Sequence, residues 1–403
     1  MSKIKPFRGY LPPNDLAKNV SCPPYDVLSS DEARDVVRNN AKSFLRVIKP
    51  EVDFANTIVG NDEFVHQRAH RNLSAFIREG LLIRDQEECF YVYSISKRNH
   101  VQTGLVAAVS VEEYNDQKIK KHEHTRPEKE DDRTLHISTT RANTGPVFLV
   151  FKNDGSFQNL ISRHTKKKSV IYFEAGDGSS HSIKKIEDKS SIKNIKKYFK
   201  SVDNLYIADG HHRAASASRF QRSQNGSSNS NYFLGTLFPH DEVQILSYNR
   251  VVRGLDGFQN DLFLNKIKKN FSIVRSSKKK PIDRGIFMMY LNGKWFTLEA
   301  KEKIRNNDPV LGLDASILQN FILDLILDIK DPRTDSRLDF IGGSKGLDEL
   351  ERRCEMDAEI AFALHPVTID DLLKVSDNGK VMPPKSTWFE PKLRSGLIVR
   401  MLD

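Results

Sequence analysis

A strand that runs directly into a helix is the strongest constraint in this sequence, and it lies in NLYIADGHHRAASASRF, residues 204–220. NLYIA is a short apolar run typical of a β-strand, and HHRAASASRFQR has the alanine content and length of a helix. The dipeptide Asp209-Gly210 separates the two. Such a junction points backbone N–H groups and the positive end of a helix dipole at one spot, so it predicts an anion-binding helix start.

The polar residues at this junction suit phosphate oxygens. Gly210 lets the backbone approach a ligand closely, and His211, His212 and Arg213 add hydrogen-bond donors. Adjacent helical residues point about 100° apart, so the two histidines cannot face one phosphate in the same way. We expect one histidine to bind phosphate and the other to brace the site or meet the second substrate. The alternative is that Asp209 only caps the helix and that both histidines lie on the surface.

Strand and helix signals alternate along the rest of the chain and predict a mixed α and β fold. Ser29 and Glu32 form a capping-box pattern at the start of an early helix. Asn292-Gly293 lies between two alternating runs and predicts a β-hairpin with a type I′ turn. Asp314 is the predicted cap of a later helix, DASILQNFILDLIL.

The order of these signals suggests two parts. We place a boundary near residue 255, after the SYNRVV strand, which gives an N-terminal core of residues 1–255 and a C-terminal α/β part of residues 256–403. The C-terminal MPPKST motif is expected to return to the N-terminal site.

The polar segment KKHEHTRPEKEDDRTLHISTTRANTG shows no strong period, and we interpret it as a functional loop. In KHEHT, strand alternation would place His122 and His124 on one face and Glu123 on the other. Glu123 could then serve as a general base, with His122 as a substrate contact. The equally open alternative is a solvated loop.

Two proline-containing motifs add candidate ligand contacts. In MPPKST, Lys385 provides a point charge for phosphate, and Ser386 and Thr387 provide hydroxyls for phosphate or metal. In CPPYDV, Asp26 could orient a metal or a substrate amine, while Tyr25 either contacts substrate or only packs.

Composition excludes several classes of protein. The formal charge is +10, but the lysines are scattered and match no nucleic-acid-binding module, so nucleic acid is not the expected partner. Three widely spaced cysteines indicate neither a disulfide framework nor a thiolate zinc site. The N-terminus lacks the apolar core of a signal peptide, and no apolar run is long enough to cross a membrane. We expect a cytoplasmic protein.

Four motifs together resemble the microbial family described as domain of unknown function 1015. In chain order they are PFRGY, CPPYDV at 22–27, ADGHHRAASA at 208–217 and VMPPKSTWFEPKL at 381–393. The D-G-H-H-R element of that family is similar to the phosphate-binding element of the ParB/sulfiredoxin-like fold, in which free L-serine kinases also occur. One departure is Tyr248-Asn249-Arg250-Val251, which stands where a His-Arg pair is expected.

The resemblance implies a ParB/sulfiredoxin-like nucleotide-binding core and a kinase that phosphorylates free L-serine with a nucleotide and Mg²⁺. We expect ATP as the donor, with ADP as the open alternative. For that reaction we expect Glu123, Asp209 and His211 to be catalytic, with Asp209 holding Mg²⁺ or the serine hydroxyl. Phosphoryl transfer needs cations for the donor and a base for the acceptor hydroxyl, and the chain offers both.

Two other functions stay open at this point. One is a metal-dependent hydrolase that uses some of His122, His124, Asp209, His211 and His212, although their spacings differ from the i, i+4 pair of helical zinc sites. The other is a non-catalytic ParB-like module that binds nucleotide or DNA, which the basic charge favours and the lack of a helix-turn-helix pattern opposes.

Overall fold

A computed structural model describes residues 2–55, 62–224, 229–255, 259–277 and 280–402 of the chain. It divides into two compact units, Met1–Val243 with Pro391–Asp403, and Gln244–Glu390. The second unit begins at Gln244, and the last residues of the chain belong to the first unit. No helix among the described residues is long and apolar enough to cross a membrane.

The fold is mixed α and β, as predicted. The described strands are β1 (Ile4–Lys5), β2 (Tyr10–Leu11), β3 (Ile83–Arg84), β4 (Phe90–Lys97), β5 (His100–Ser110), β6 (Ile119–Lys120), β7 (Ala142–Asn143), β8 (Val147–Phe151), β9 (Ile171–Glu174), β10 (Ser179–Ile186), β11 (Leu205–Asp209), β12 (Tyr232–Pro239), β13 (Gln244–Leu246), β14 (Tyr248–Val252), β15 (Phe271–Ser276), β16 (Ile286–Leu291), β17 (Lys294–Ala300), β18 (Leu338–Gly342), β19 (Ile360–Ala363), β20 (Trp388–Glu390) and β21 (Arg400–Met401).

Helices alternate with these strands. The described α-helices are α1 (Ala17–Val20), α2 (Ser30–Asn39), α3 (Leu45–Ile48), α4 (Glu63–Arg78), α5 (Val111–Asn115), α6 (Pro127–Thr140), α7 (Ser156–Thr165), α8 (Lys189–Ser201), α9 (His211–Ser223), α10 (Asn260–Lys268), α11 (Asp314–Leu318), α12 (Asp348–Met356) and α13 (Ile369–Asp377). Short 3₁₀ turns cover Pro50–Asp53, His240–Glu242, Glu302–Ile304 and Gly343–Lys345, and a π-helical turn covers Gln319–Asp324.

The first unit is built on a mixed nine-stranded sheet. Its main order is β6-β11-β8-β12-β5-β4-β10-β9, and β1 pairs with β5. The pairs β6·β11 and β8·β12 are parallel, while the other pairs are antiparallel. Every residue of β8 is buried, and α7 and α9 pack against the sheet. The apolar run PVFLVF therefore forms a central strand next to β11, which leads into the polar junction.

The second unit contains a six-stranded antiparallel sheet in the order β15-β17-β16-β19-β14-β18, with a separate pair β13·β20. The predicted hairpin joins β16 and β17: Asn292 and Gly293 have φ values of 50° and 72°, as a type I′ turn requires. The capping box of Ser29 and Glu32 is also confirmed at the start of α2. These features follow from residues adjacent in sequence.

Two local predictions are wrong. The polar segment interpreted as a loop contains the 14-residue helix α6. Its buried residues include Asp132, His136 and Thr140, so the helix packs through polar side chains and shows no apolar period. Asp314 is the first residue of α11 rather than its cap, and its Oδ1 accepts a hydrogen bond from the Gly285 N–H at 2.8 Å.

Candidate active site

The predicted strand-to-helix junction is confirmed. Strand β11 ends at Asp209, and α9 begins at His211. Gly210 between them has φ of +95°, a conformation that side chains with a Cβ atom rarely adopt. A Cβ atom at this position would also lie 2.9 Å from Nε of Arg213. Glycine is therefore required here both by the backbone and by the guanidinium that lies over it.

Asp209 is held by two cations. Its Oδ2 lies 2.8 Å from Lys392 Nζ, and its Oδ1 lies 3.9 Å from Arg213 Nη2. Burial by itself would raise the pKa of Asp209, but the charges of Lys392 and Arg213 outweigh burial and hold the pKa well below its usual range. Asp209 is thus ionised at neutral pH. The N-cap residue of α9 is Gly210 rather than Asp209.

Two buried histidines and a carboxylate meet beside this helix start. His122, Glu123 and His211 each offer one ligand-type atom, and these atoms lie within 4.8 Å of one another. The rings of His122 and His211 are 4.6 Å apart and nearly perpendicular. Burial lowers the pKa of His122 to about 4 and that of His211 well below its ordinary value, so both imidazoles are neutral at pH 7.

The predicted alternation of KHEHT is wrong, because residues 121–126 form no strand. His122 and Glu123 both contribute to the cluster, whereas His124 is exposed. The side chain of His212 accepts a hydrogen bond from the Arg126 N–H at 3.1 Å. His212 therefore braces the start of α6, while His211 lies in the cluster.

A small cavity lies beside Arg213. It encloses about 50 Å³, and its walls include Tyr25, Arg133 and Ser395. The Arg133 guanidinium lies 4.4 Å from the centre of the Tyr25 ring and donates to Asp132 at 2.8 Å. This volume suits a carboxylate group or a water molecule and is far below the roughly 300 Å³ of a small-molecule site.

Tyr25 and Asp26, the two residues predicted to contact substrate, differ in their surroundings. Tyr25 lines the cavity, and burial raises the pKa of its hydroxyl, so it stays a neutral phenol. Asp26 is exposed. The loop that carries both residues is tied to the end of the chain, because Cys22 and Ser395 exchange two backbone hydrogen bonds of 3.1 and 2.9 Å.

Lys392 is the site residue that sequence reasoning missed. It follows β20 in the VMPPKSTWFEPKL motif, and it lies 183 residues from its partner Asp209. The motif contains both lysines, and its proline pair favours Lys385 as the predicted ligand contact. The hydrogen bonds of 3.0 Å from Arg394 to the Oγ and O atoms of Ser21 help hold this segment in the first unit.

The family model described as "Protein of unknown function (DUF1015)" matches residues 4–316. The chain belongs to the DUF1015 family. This confirms the resemblance drawn from the four motifs, although the last of them, at residues 381–393, lies beyond the matched range. No curated protein matches the chain.

Solved structures offer distant likenesses to this DUF1015 protein. A free serine kinase variant in complex with ADP is 13% identical with a TM-score of 0.38, covering 73% of this chain and 89% of its own. A conserved hypothetical protein from Pyrococcus furiosus is 13% identical with a TM-score of 0.37, covering 74% and 96%. Truncated SbnI from Staphylococcus aureus is 10% identical with a TM-score of 0.38, covering 72% and 85%. TM-scores this low support no argument about activity.

The MPPKST residues of this DUF1015 protein lie in the second unit. Lys385 has φ of +55°, and its Nζ lies 5.7 Å from the centre of the Tyr248 ring. The Ser386 hydroxyl donates to the Pro383 carbonyl at 2.6 Å, which fixes the turn. The expected roles of Lys385, Ser386 and Thr387 at the DGHHR site stay a prediction.

The motif departure at Tyr248-Asn249-Arg250-Val251 has a structural explanation within the second unit. Asn249 is buried, and its Oδ1 accepts a hydrogen bond from the Leu364 N–H at 3.2 Å. Arg250 is also buried, which lowers its pKa to about 10, and it donates to the Tyr248 carbonyl at 2.6 Å. Asn249 therefore ties β14 to the residue that follows β19.

Proposed function

We propose that this DUF1015 protein transfers a phosphoryl group from a nucleotide to the hydroxyl of free L-serine, giving O-phospho-L-serine. One observation carries the proposal: the start of α9 gathers the Asp209–Lys392 pair, Arg213 and the Glu123 carboxylate. Phosphoryl transfer needs this combination of cations for the donor and a carboxylate for the acceptor proton. The motif resemblance to free L-serine kinases supports serine as the acceptor.

The donor phosphates would bind at the first turn of α9. The N–H groups of His211, His212 and Arg213 occupy positions that have no acceptor within an α-helix, and the helix dipole favours negative charge there. Gly210 has no Cβ atom, and the Arg213 guanidinium lies over it, where it would meet a phosphate bound at the helix start. ATP is the expected donor and ADP is the alternative, and the assay compares the two.

The acceptor carboxylate would occupy the cavity beside Arg213. Its walls contain the guanidinium groups of Arg133 and Arg213 together with the Tyr25 phenol, which suit a small anion. Arg213 lies at both the helix start and this cavity, so it would offset charge on both substrates.

Glu123 would accept the serine hydroxyl proton. In the transfer, the serine Oγ forms a bond to the donor's terminal phosphorus, the bond from that phosphorus to its bridging oxygen breaks, and the shortened nucleotide leaves. The proton moves to the Glu123 carboxylate.

The residues present also fit Mg²⁺. This ion prefers oxygen ligands and is usually held by one or two carboxylates together with substrate phosphates. Asp209 is an ionised carboxylate at the helix start, and its Oδ1 is 3.9 Å from the nearest Arg213 nitrogen. It would hold the ion together with the nucleotide, where Mg²⁺ neutralises phosphate charge.

The decisive experiment incubates the protein with Mg²⁺, L-serine and either ATP or ADP and measures O-phosphoserine. We expect product with one donor, and Glu123→Gln should lower the rate by about 10²-fold or more. Glu187→Gln is the control, because Glu187 is an exposed carboxylate after β10. Arg213→Ala should weaken nucleotide binding by about 1.5–3 kcal/mol, the loss of a charge-assisted contact.

Nucleotide binding without any phosphoserine from either donor would refute the kinase and favour a nucleotide-binding module. Equal rates for the Glu123→Gln and Glu187→Gln proteins would remove Glu123 as the base.

A further inference from the structure

His122, Glu123 and His211 have a metal-ligand composition as well as proximity. Both histidines are buried, with exposed fractions of 2% and 7%, and all three ligand-type atoms lie within 4.8 Å of one another. Nε2 of His211 is buried and has no hydrogen-bond partner among the described residues. Because buried polar atoms are nearly always satisfied, this nitrogen is open to a ligand.

The donor atoms at this cluster favour metal binding. A histidine binds a metal through the lone pair of a ring nitrogen, and a glutamate binds it through a carboxylate oxygen. Two imidazoles and one carboxylate therefore meet at one point.

We propose that His122, Glu123 and His211 form a binding site for a borderline transition-metal dication such as Zn²⁺. Two histidines with one Glu form the protein ligand set of known zinc sites that keep an open fourth position. Mg²⁺ prefers an all-oxygen shell, so it should not compete effectively for two imidazoles. This site is distinct from the Mg²⁺ position at Asp209.

The three ligand atoms need to move only slightly closer together to bind Zn²⁺. Ligand atoms 2.0–2.1 Å from a tetrahedral Zn²⁺ lie about 3.3 Å apart, compared with the 4.8 Å limit observed here. Glu123 lies in the irregular segment between β6 and α6, where a backbone adjustment breaks no strand or helix. His211 is fixed at the first turn of α9, so Glu123 would be the ligand that moves.

Metal binding would control the proposed reaction. A Glu123 carboxylate bound to Zn²⁺ can no longer accept the serine proton, so Zn²⁺ should inhibit transfer and a chelator should restore it. This consequence rests on the proposed function, whereas binding of the metal itself does not.

The test uses the full chain, free of any affinity tag and dialysed against a chelator. Co²⁺ is added as a spectroscopic substitute, and Zn²⁺ binding is measured by calorimetry in excess Mg²⁺. We expect saturable binding with visible Co²⁺ bands of a low-coordinate nitrogen and oxygen site, displaced by Zn²⁺. Glu123→Gln and His211→Gln should each weaken Zn²⁺ binding at least tenfold.

The matched control is His124→Gln, because His124 is exposed and lies next to Glu123 in sequence. It should bind Zn²⁺ as the unchanged protein does. Equal losses in His124→Gln and His211→Gln, or no saturable Zn²⁺ binding by the unchanged protein, would overturn the proposal. Glu123→Gln changes a partly exposed side chain outside regular structure, so it keeps the test valid if His211→Gln fails to fold.

Discussion

Removal of the Lys392 charge tests the electrostatics of the helix start most directly. Lys392 Nζ lies 2.8 Å from Asp209 Oδ2, and each side chain is 20% exposed. Breaking a fully buried ion pair costs about 3–5 kcal/mol, whereas an exposed pair contributes about 1 kcal/mol or less. This partly buried pair falls between these limits, so Lys392→Met should lower the free energy of unfolding by about 1–3 kcal/mol.

The effect should depend on pH in a defined direction. Burial opposes ionisation of Asp209, but Lys392 and Arg213 together hold its pKa well below the usual range. A carboxyl whose pKa is lower in the folded state stabilises the fold above its unfolded pKa, about 3.9. That stabilisation is lost as the pH falls through the folded-state pKa. The difference between Lys392→Met and the unchanged protein should therefore be full at pH 7 and shrink below about pH 4.

The assay is urea unfolding followed by circular dichroism in a double-mutant cycle of Lys392→Met and Asp209→Asn. Lys196→Met is the control, since Lys196 is an exposed lysine on α8. We expect a coupling energy of about 1–3 kcal/mol at pH 7. Additive effects within about 0.5 kcal/mol, or a loss equal to that of Lys196→Met, would refute the reasoning.

Three further predictions concern single positions. Gly210→Ala should destabilise the protein by about 1–3 kcal/mol, because φ is +95° and the new Cβ atom would displace the Arg213 guanidinium; thermal unfolding measures this. Gly293→Ala should cost about 1 kcal/mol by straining the positive φ of the hairpin turn, with no effect on nucleotide affinity. Burial lowers the pKa of His136 to about 3, so the folded protein holds this side chain neutral. The stability that neutral His136 contributes is full above about pH 6.5 and is lost as the pH falls toward 3. His136→Gln should therefore flatten the dependence of Tm on pH between 7 and 4.

The features predicted correctly from the sequence depend on residues that are close together in the chain. The Ser29 capping box, the Asn292-Gly293 turn and the break at Gly210 each depend on backbone conformations of a few adjacent residues, and all three are present. Helix α6 was not predicted because its buried face is polar. Asp132 lies 3.3 Å from the buried His66, and a hydropathy pattern does not reveal such pairs.

The sequence predicts the DGHHR junction of the candidate site but not the residues that other segments bring to it. The DGHHR junction carries its own local signals, so its place at a helix start follows from sequence. The contact between Asp209 and Lys392 joins segments 183 residues apart, and the orientation of Glu123 depends on an irregular segment without a fixed side-chain period. Single-sequence patterns specify neither the long-range contact nor the side-chain direction in an irregular segment.

Lys392 and Mg²⁺ would compete for the same carboxylate, and this competition leads to a last prediction. Lys392 Nζ lies 2.8 Å from Asp209 Oδ2, so an ion bound at Oδ1 would be repelled by the ammonium on the same carboxylate, and that ammonium would itself attract the nucleotide phosphates. Lys392→Met should therefore lower the Mg²⁺ concentration needed for half-maximal nucleotide binding, while it weakens nucleotide binding without Mg²⁺. Titrations of nucleotide at several Mg²⁺ concentrations measure both quantities. An unchanged Mg²⁺ requirement in the Lys392→Met protein would remove Asp209 as the metal ligand and leave it as the anchor of the C-terminal segment.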